Sequence, residues 1–195
     1  MAQIHETAIV SPLATLEADT RIWHWTHVRE FATIGARTSI GQGCYIDHHV
    51  AIGPDCKVQN GVNLYFGVTL DASVFVGPGV TFTNDVHPRA TLGRWDPDQP
   101  VRTLVGPHAS LGAGAVILPV MIGMGAMIAA GSVVTRHVEA FQVVRGNPAR
   151  CVGYTCPCGE TTVRQAGEIA CLRCEFAFEG CDFNLVVPRS EPWHP

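Results

Sequence analysis

The sequence predicts an all-β chain wound as a parallel β-helix, interrupted once by a loop and followed by a small cysteine-bearing appendage. Two periodicities and one break carry that prediction. Counting in sixes from Ile4 through Ile22, Ile40, Val58 and Val76 to Phe82, every position is apolar. At a composition that is 47% hydrophobic, such a run arises by chance about once in 40,000. Four residues further on, the positions from Ala8 through Thr20, Thr38, Cys56 and Val74 to Val86 are all small or β-branched. Six is a multiple of the strand period of two and fits no helix. Each repeat therefore sends one large and one small side chain inward and then turns a corner. No single repeat buries its apolar face alone, so the coils must stack into one continuous core.

Taken in order, the regular coils run from Ile4 to Phe82, with a glycine following the large apolar residue at Gly35, Gly41, Gly53 and Gly77. The phase then breaks in TNDVHPRATLGRWDPDQPVRT. It resumes at Val105, Leu111 and Ile117, then slips by one residue across 118–120 to Ile122, Ile128 and Val134. The break, about residues 84–104, holds Pro88, Pro97 and Pro100. A loop of that length inside a compact domain is uncommon and usually functional. After Val152 the repeat is gone, which divides the chain into a β-helix domain over 1–153 and a tail over 154–195.

Composition narrows the function. A formal net charge of −4 gives no basic footprint for a nucleic-acid binder. The N-terminal MAQIHETAIV has neither a basic stretch nor a sustained apolar run, so a cytoplasmic, reducing setting is expected. The uncharged stretch from Leu111 to Val134 is long enough to suggest a membrane span. Its glycines, Pro119 and short repeat assign it to the coils instead, and no membrane partner is expected.

In a reducing compartment, close cysteine pairs signal metal more often than disulfide. The tail carries Cys156 and Cys158 in CPCG, then Cys171 and Cys174 in CLRC, with Cys181 nearby as a substitute ligand. This approaches the two-knuckle pattern of a zinc ribbon, although the first knuckle has one intervening residue where two are usual. A structural Zn2+ held by Cys156, Cys158, Cys171 and Cys174 is the expectation, because so short a tail lacks the apolar area to fold alone. Cys44 and Cys56 fall on inward small positions and should be inert core.

The segments IHETAIVSP, TRIWHWTHVRE, VFVGPGVTFTNDVHPRA and VVRGNPAR resemble the nucleotide-sugar 3-N-acetyltransferases among the hexapeptide-repeat acyltransferases. The resemblance covers roughly residues 3 to 155 and is nearest to the UDP-2-acetamido-3-amino-2,3-dideoxyglucuronate N-acetyltransferases of surface-polysaccharide synthesis. It implies a left-handed parallel β-helix of hexapeptide repeats, whereas the general crossover rule favours the right hand. It also implies a homotrimer, and acetyl transfer from acetyl-CoA to the 3-amino group of a nucleotide-linked sugar. A dTDP-3-amino-3,6-dideoxyhexose is the alternative acceptor, and a catalytically inactive β-helix scaffold is the alternative of another class. A zinc hydratase on the same helix, the γ-class carbonic anhydrase, needs two histidines five apart, and no pair here has that spacing.

The reaction requires that two reactants be aligned, an oxyanion be held and one proton be removed. The resemblance implies that Asn84, in FTND, anchors the amine, with the CoA thiolate taking the proton. His87 is a second candidate, as general base, and Asp85 a third, holding His87 or the amine or capping the loop. For the acceptor, His24, His27, Arg29 and Arg89 are candidates, since a uronate carboxylate and a diphosphate both need cationic donors; ion pairs between subunits are the plainer reading of the arginines. His27 and Arg29 flank inward Val28 and should point outward. For acetyl-CoA the later coils offer Gly112, Ala130 and Gly131 for close backbone approach. Arg136, Arg145, Asn147 and Arg150, around the end-of-helix motif RGNPAR, are candidates for phosphate binding.

Overall fold

The computed structural model describes residues 1–90, 101–156, 158, 160, 162–165, 168–171, 173 and 177–178. Each six-residue repeat forms a two- or three-residue strand and a corner, and three repeats make one coil. Strands one coil apart pair in parallel and in register, as Ile4↔Ile22, Ile22↔Ile40 and Ile40↔Val58 do on the first face. The second face stacks Val10, Val28, Ile46 and Leu64 in the same way, and the third stacks Leu16, Ile34, Ile52 and Leu70. The result is an all-β parallel solenoid of about seven turns, with faces of nine, seven and six strands. Among the described residues there is no helix long and apolar enough to cross a membrane.

The core is the column predicted by the period of six: Ile40, Ile46, Leu64, Val76, Phe82, Leu111 and Ile117 are all fully buried. The small inward positions also do a polar job. Buried Thr26 donates to the Gly41 carbonyl at 2.6 Å and Thr38 to the Gly53 carbonyl at 2.8 Å. Their hydroxyls accept in turn from the amides of Cys44 at 3.3 Å and Cys56 at 3.0 Å. Corner groups that would otherwise lie buried and unpaired are thereby satisfied. Cys44 and Cys56 continue the same columns, their thiols donating to the carbonyls of Gln59 and Asp71 at 3.0 Å each.

The break in the repeat lies at the corner between the second and third faces. The chain leaves the coil after Thr81–Phe82 and rejoins at Thr103–Val105, which pairs with Val68–Leu70. The loop is thus slightly shorter than the expected 84–104, because Thr103, 1% exposed, fills the small inward position opposite Val68. At the far end, Gln142–Gly146 joins the first face and turns back into Ala149–Tyr154, which covers its edge in antiparallel pairing. Beyond it, Thr162–Gln165, Glu168–Cys171 and Ala177–Phe178 form a small antiparallel sheet.

Candidate active site

The corner from which the loop departs gathers a polar cluster around Asp47. Residues two beyond the large inward side chain occupy equivalent places in successive coils. His48, Phe66 and Asn84 therefore form one column, following Ile46, Leu64 and Phe82. At a strand spacing of about 4.8 Å, Asn84 stands about 10 Å above His48 along this corner.

Asp47 organises the lower part of the column. It is 7% exposed, and its Oδ1 accepts from the Arg29 guanidinium at 3.0 Å, the Tyr45 hydroxyl at 3.1 Å, the His48 amide at 2.8 Å and the His48 ring Nδ1 at 2.7 Å. Its Oδ2 accepts from the Phe66 amide at 3.2 Å. Burial alone would raise the Asp47 pKa. The hydrogen bonds from the His48 ring and amide and from the Phe66 amide outweigh it and hold the carboxyl below its ordinary value. The His48 ring lies flat on Phe66, with centroids 4.4 Å apart and planes at 11°. An ionised carboxylate on Nδ1 fixes the tautomer that carries a proton there, so that Nε2 presents a lone pair. This is a carboxylate–imidazole pair with the ring clamped in place, the arrangement of a general base.

The remaining candidates divide between corners. Arg29 shares the second corner, but its guanidinium is engaged twice by Glu30 and once by Asp47. Hydrogen bonding to Tyr45 and Glu30 raises its pKa further. Asn84 and Asp85 are half-buried at the root of the loop, and Asp85 Oδ1 caps the turn by accepting from the His87 amide at 2.8 Å. His87 and Arg89 are exposed, and Arg89 donates to the Pro88 carbonyl at 2.8 Å. His27 points outward from the second face, edge-on to Tyr45 at 5.7 Å.

His24 sits instead at the corner between the first and second faces, stacked on His5 with centroids 3.5 Å apart. That corner, higher up, also carries Gly112, Ala130 and Gly131. A Cβ at Gly112 would lie 2.4 Å from the Ala130 amide nitrogen, so the glycine is needed for the coils to stack. Gly131, with φ +67°, turns the corner with open space around it, and Ala130 is exposed beside it. Arg136 is exposed after the last strand of the second face. Arg145 and Arg150 face each other across the terminal hairpin, with Asn147 in its cis-proline turn. In the tail, Cys156, Cys158 and Cys171 converge, while Cys174 and Cys181 lie outside the described residues, as do loop positions 91–100.

Sequence reasoning missed Asp47 and His48. The available signal was the column: an Asp-His pair directly after an inward isoleucine, at the corner where the loop leaves two coils later.

Comparison with known proteins agrees with this architecture. Residues 32–65 and 102–136, either side of the loop, match the model of the hexapeptide repeat of succinyl-transferase. The chain is 41% identical over 164 residues to the dTDP-3-amino-3,6-dideoxy-alpha-D-galactopyranose 3-N-acetyltransferase of Aneurinibacillus thermoaerophilus, covering 81% of this chain and 84% of that one. It is also 39% identical over 116 residues to serine acetyltransferase 2 of Arabidopsis thaliana, spanning 58% of this chain but only 29% of the plant protein. The fold is shared with a hexapeptide transferase family protein from Anaplasma phagocytophilum, at 18% identity and TM-score 0.54, over 80% of this chain and 84% of that one. The repeat that encloses the core, the loop that interrupts it and the match along 84% of an acetyltransferase together make this chain a member of the hexapeptide-repeat acyltransferase family.

Proposed function

We propose that the protein transfers an acetyl group from acetyl-CoA to the 3-amino group of a nucleotide-linked amino sugar, with His48 receiving the amine proton. The observation that carries this reading is the His48–Asp47 pair beneath the root of the loop. The neutral amine attacks the thioester carbonyl and a C–N bond forms. The proton released from nitrogen passes to His48 Nε2, the C–S bond breaks, and the departing thiolate takes the proton from the imidazolium. Asp47 orients the ring and stabilises its charged form, and Asn84, further up the same column, would hold a more distant part of the sugar.

The acceptor follows from charge. Of the candidates for a uronate carboxylate, His24, His27, Arg29 and Arg89, Arg29 has its guanidinium committed to Glu30 and Asp47. A 6-deoxy sugar requires no such cation, and the relative matched along most of its length acts, by its name, on a dTDP-linked 3-amino-3,6-dideoxyhexose. That acceptor is our first reading. UDP-2-acetamido-3-amino-2,3-dideoxyglucuronate is the second, with exposed Arg89 as its carboxylate partner.

The resemblance assigns CoA to Gly112, Ala130 and Gly131 at the first corner, whereas the base lies at the second. One coil stack holds these corners apart, so a neighbouring copy is needed to bring them face to face, as the sites between subunits of a homotrimer would. CoA release followed with a thiol-reactive dye, using both acceptors, tests the reaction. Turnover with the dTDP sugar and loss of most of it in His48→Asn are expected. Full activity in that variant would remove His48 from the chemistry, and silence with both sugars would overturn the substrate class.

A further inference from the structure

The cysteines of the tail take no part in the proposed chemistry, yet three of them meet. The sulfurs of Cys156, Cys158 and Cys171 all lie within 4.8 Å of one another, and those of Cys158 and Cys171 are 3.6 Å apart. Two thiolates on one tetrahedral zinc, each about 2.3 Å from the ion, stand about 3.8 Å apart. A disulfide would bring them to about 2.05 Å. Cys156 and Cys171 are 3% and 2% exposed, and Cys158 is half-buried. Three thiols brought this close together and largely shielded from solvent have the arrangement of a ligand set.

Backbone groups engage this cluster as well. The Arg173 amide donates to Cys171 Sγ at 3.4 Å, the kind of bond that stabilises a thiolate ligand. The Cys156 amide donates to the Glu160 carbonyl at 3.0 Å, closing the turn that carries Cys156 and Cys158. Cys171 ends the strand Glu168–Cys171, opposite Thr162. The same unit is tied to the solenoid: the Thr155 amide donates to the Phe141 carbonyl at 2.8 Å, and the Thr162 hydroxyl to the Tyr154 carbonyl at 2.9 Å.

We infer that Cys156, Cys158 and Cys171 hold a structural Zn2+, and that this ion clasps the small tail sheet onto the end of the solenoid. Three thiolates fill three of the four tetrahedral positions, and a fourth protein donor would close the sphere as a structural site requires. Its work is to hold the small tail sheet beside the terminal hairpin that already covers the last coil.

The test uses the full chain purified without chelator. Elemental analysis is expected to find about one zinc per chain, and replacement by Co2+ to give an intense thiolate-to-cobalt charge-transfer band. Cys158→Ser and Cys171→Ser should each lose zinc and weaken that band, while circular dichroism still reports the β-solenoid. Because a serine variant can fail to retain the tail for other reasons, the unsubstituted chain decides. Absence of both transition metal and cobalt band would overturn the proposal. So would a Cys158–Cys171 disulfide found by non-reducing peptide mapping of freshly purified protein.

Discussion

Asp47 shows how one side chain ties a corner together. It receives hydrogen bonds from Arg29, Tyr45, His48 and Phe66, spanning three successive coils. Asp47→Asn keeps the size but turns an acceptor into a mixed donor, and should destabilise the fold by about 1–3 kcal/mol at pH 7. The pH dependence has a definite sign. The folded-state pKa of Asp47 is held below its unfolded value, so this stabilisation is fully present above about pH 4 and disappears as pH falls through the folded value. Urea unfolding of both proteins at pH 7 and pH 3 should show the gap closing in acid; an equal gap at both would mean that the carboxylate charge contributes nothing. Neighbouring residues illustrate the opposite effect of burial, which pushes the Cys44 thiol up to about 11 and raises that of Cys56. Alkylation of native protein at neutral pH should therefore label exposed Cys151 and leave Cys44 and Cys56 unmodified.

A single repeat is a strand, a corner and two inward side chains, and it tolerates little change in either. At Gly112 the next coil's backbone lies so close that Gly112→Ala places a methyl carbon 2.4 Å from the Ala130 nitrogen. Neither is a flexible side chain that can swing aside, so a loss of about 1–3 kcal/mol is expected, read as a lower thermal midpoint. Alanine at Gly131, where no atom lies within 4 Å, should suffer only the strain of its φ of +67°, about 1 kcal/mol. The repeat itself was readable because large and small inward residues alternate along the chain, as Ile22, Thr26 and Val28 do. The proposed base was not readable that way. His48, Phe66 and Asn84 are eighteen residues apart, so their alignment is visible only after the three-strand coil is known. Thr103 escaped for a related reason: a buried threonine at a small inward position looks, in sequence, like the last residue of a polar loop.

At the scale of the molecule, each coil is buried only by its two neighbours, so position along the stack sets the cost of a core substitution. Ile4 and Ile46 play the same part in their repeats, yet Ile4, in the first coil, is 49% exposed and Ile46 is fully buried. Ile46→Ala should remove about 3–4 kcal/mol, through lost burial and the cavity left behind, and Ile4→Ala less than about 1. The outcome also probes cooperativity. If the solenoid melts as one unit, both variants give a single transition, with Ile46→Ala displaced far more. A stack that frays from its ends would instead give Ile4→Ala an early, partial loss of signal with the main transition unmoved. Hydrogen exchange distinguishes these directly. The amides of His27, Tyr45 and Asn63 donate to the carbonyls of Cys44, Val62 and Val80 one coil on, each flanked by further coils, and should exchange together. That of Gln3, which donates to Thr20 in the outermost coil, should exchange well before them. Equal protection at both places would mean that the first coil is held by something beyond its single neighbour.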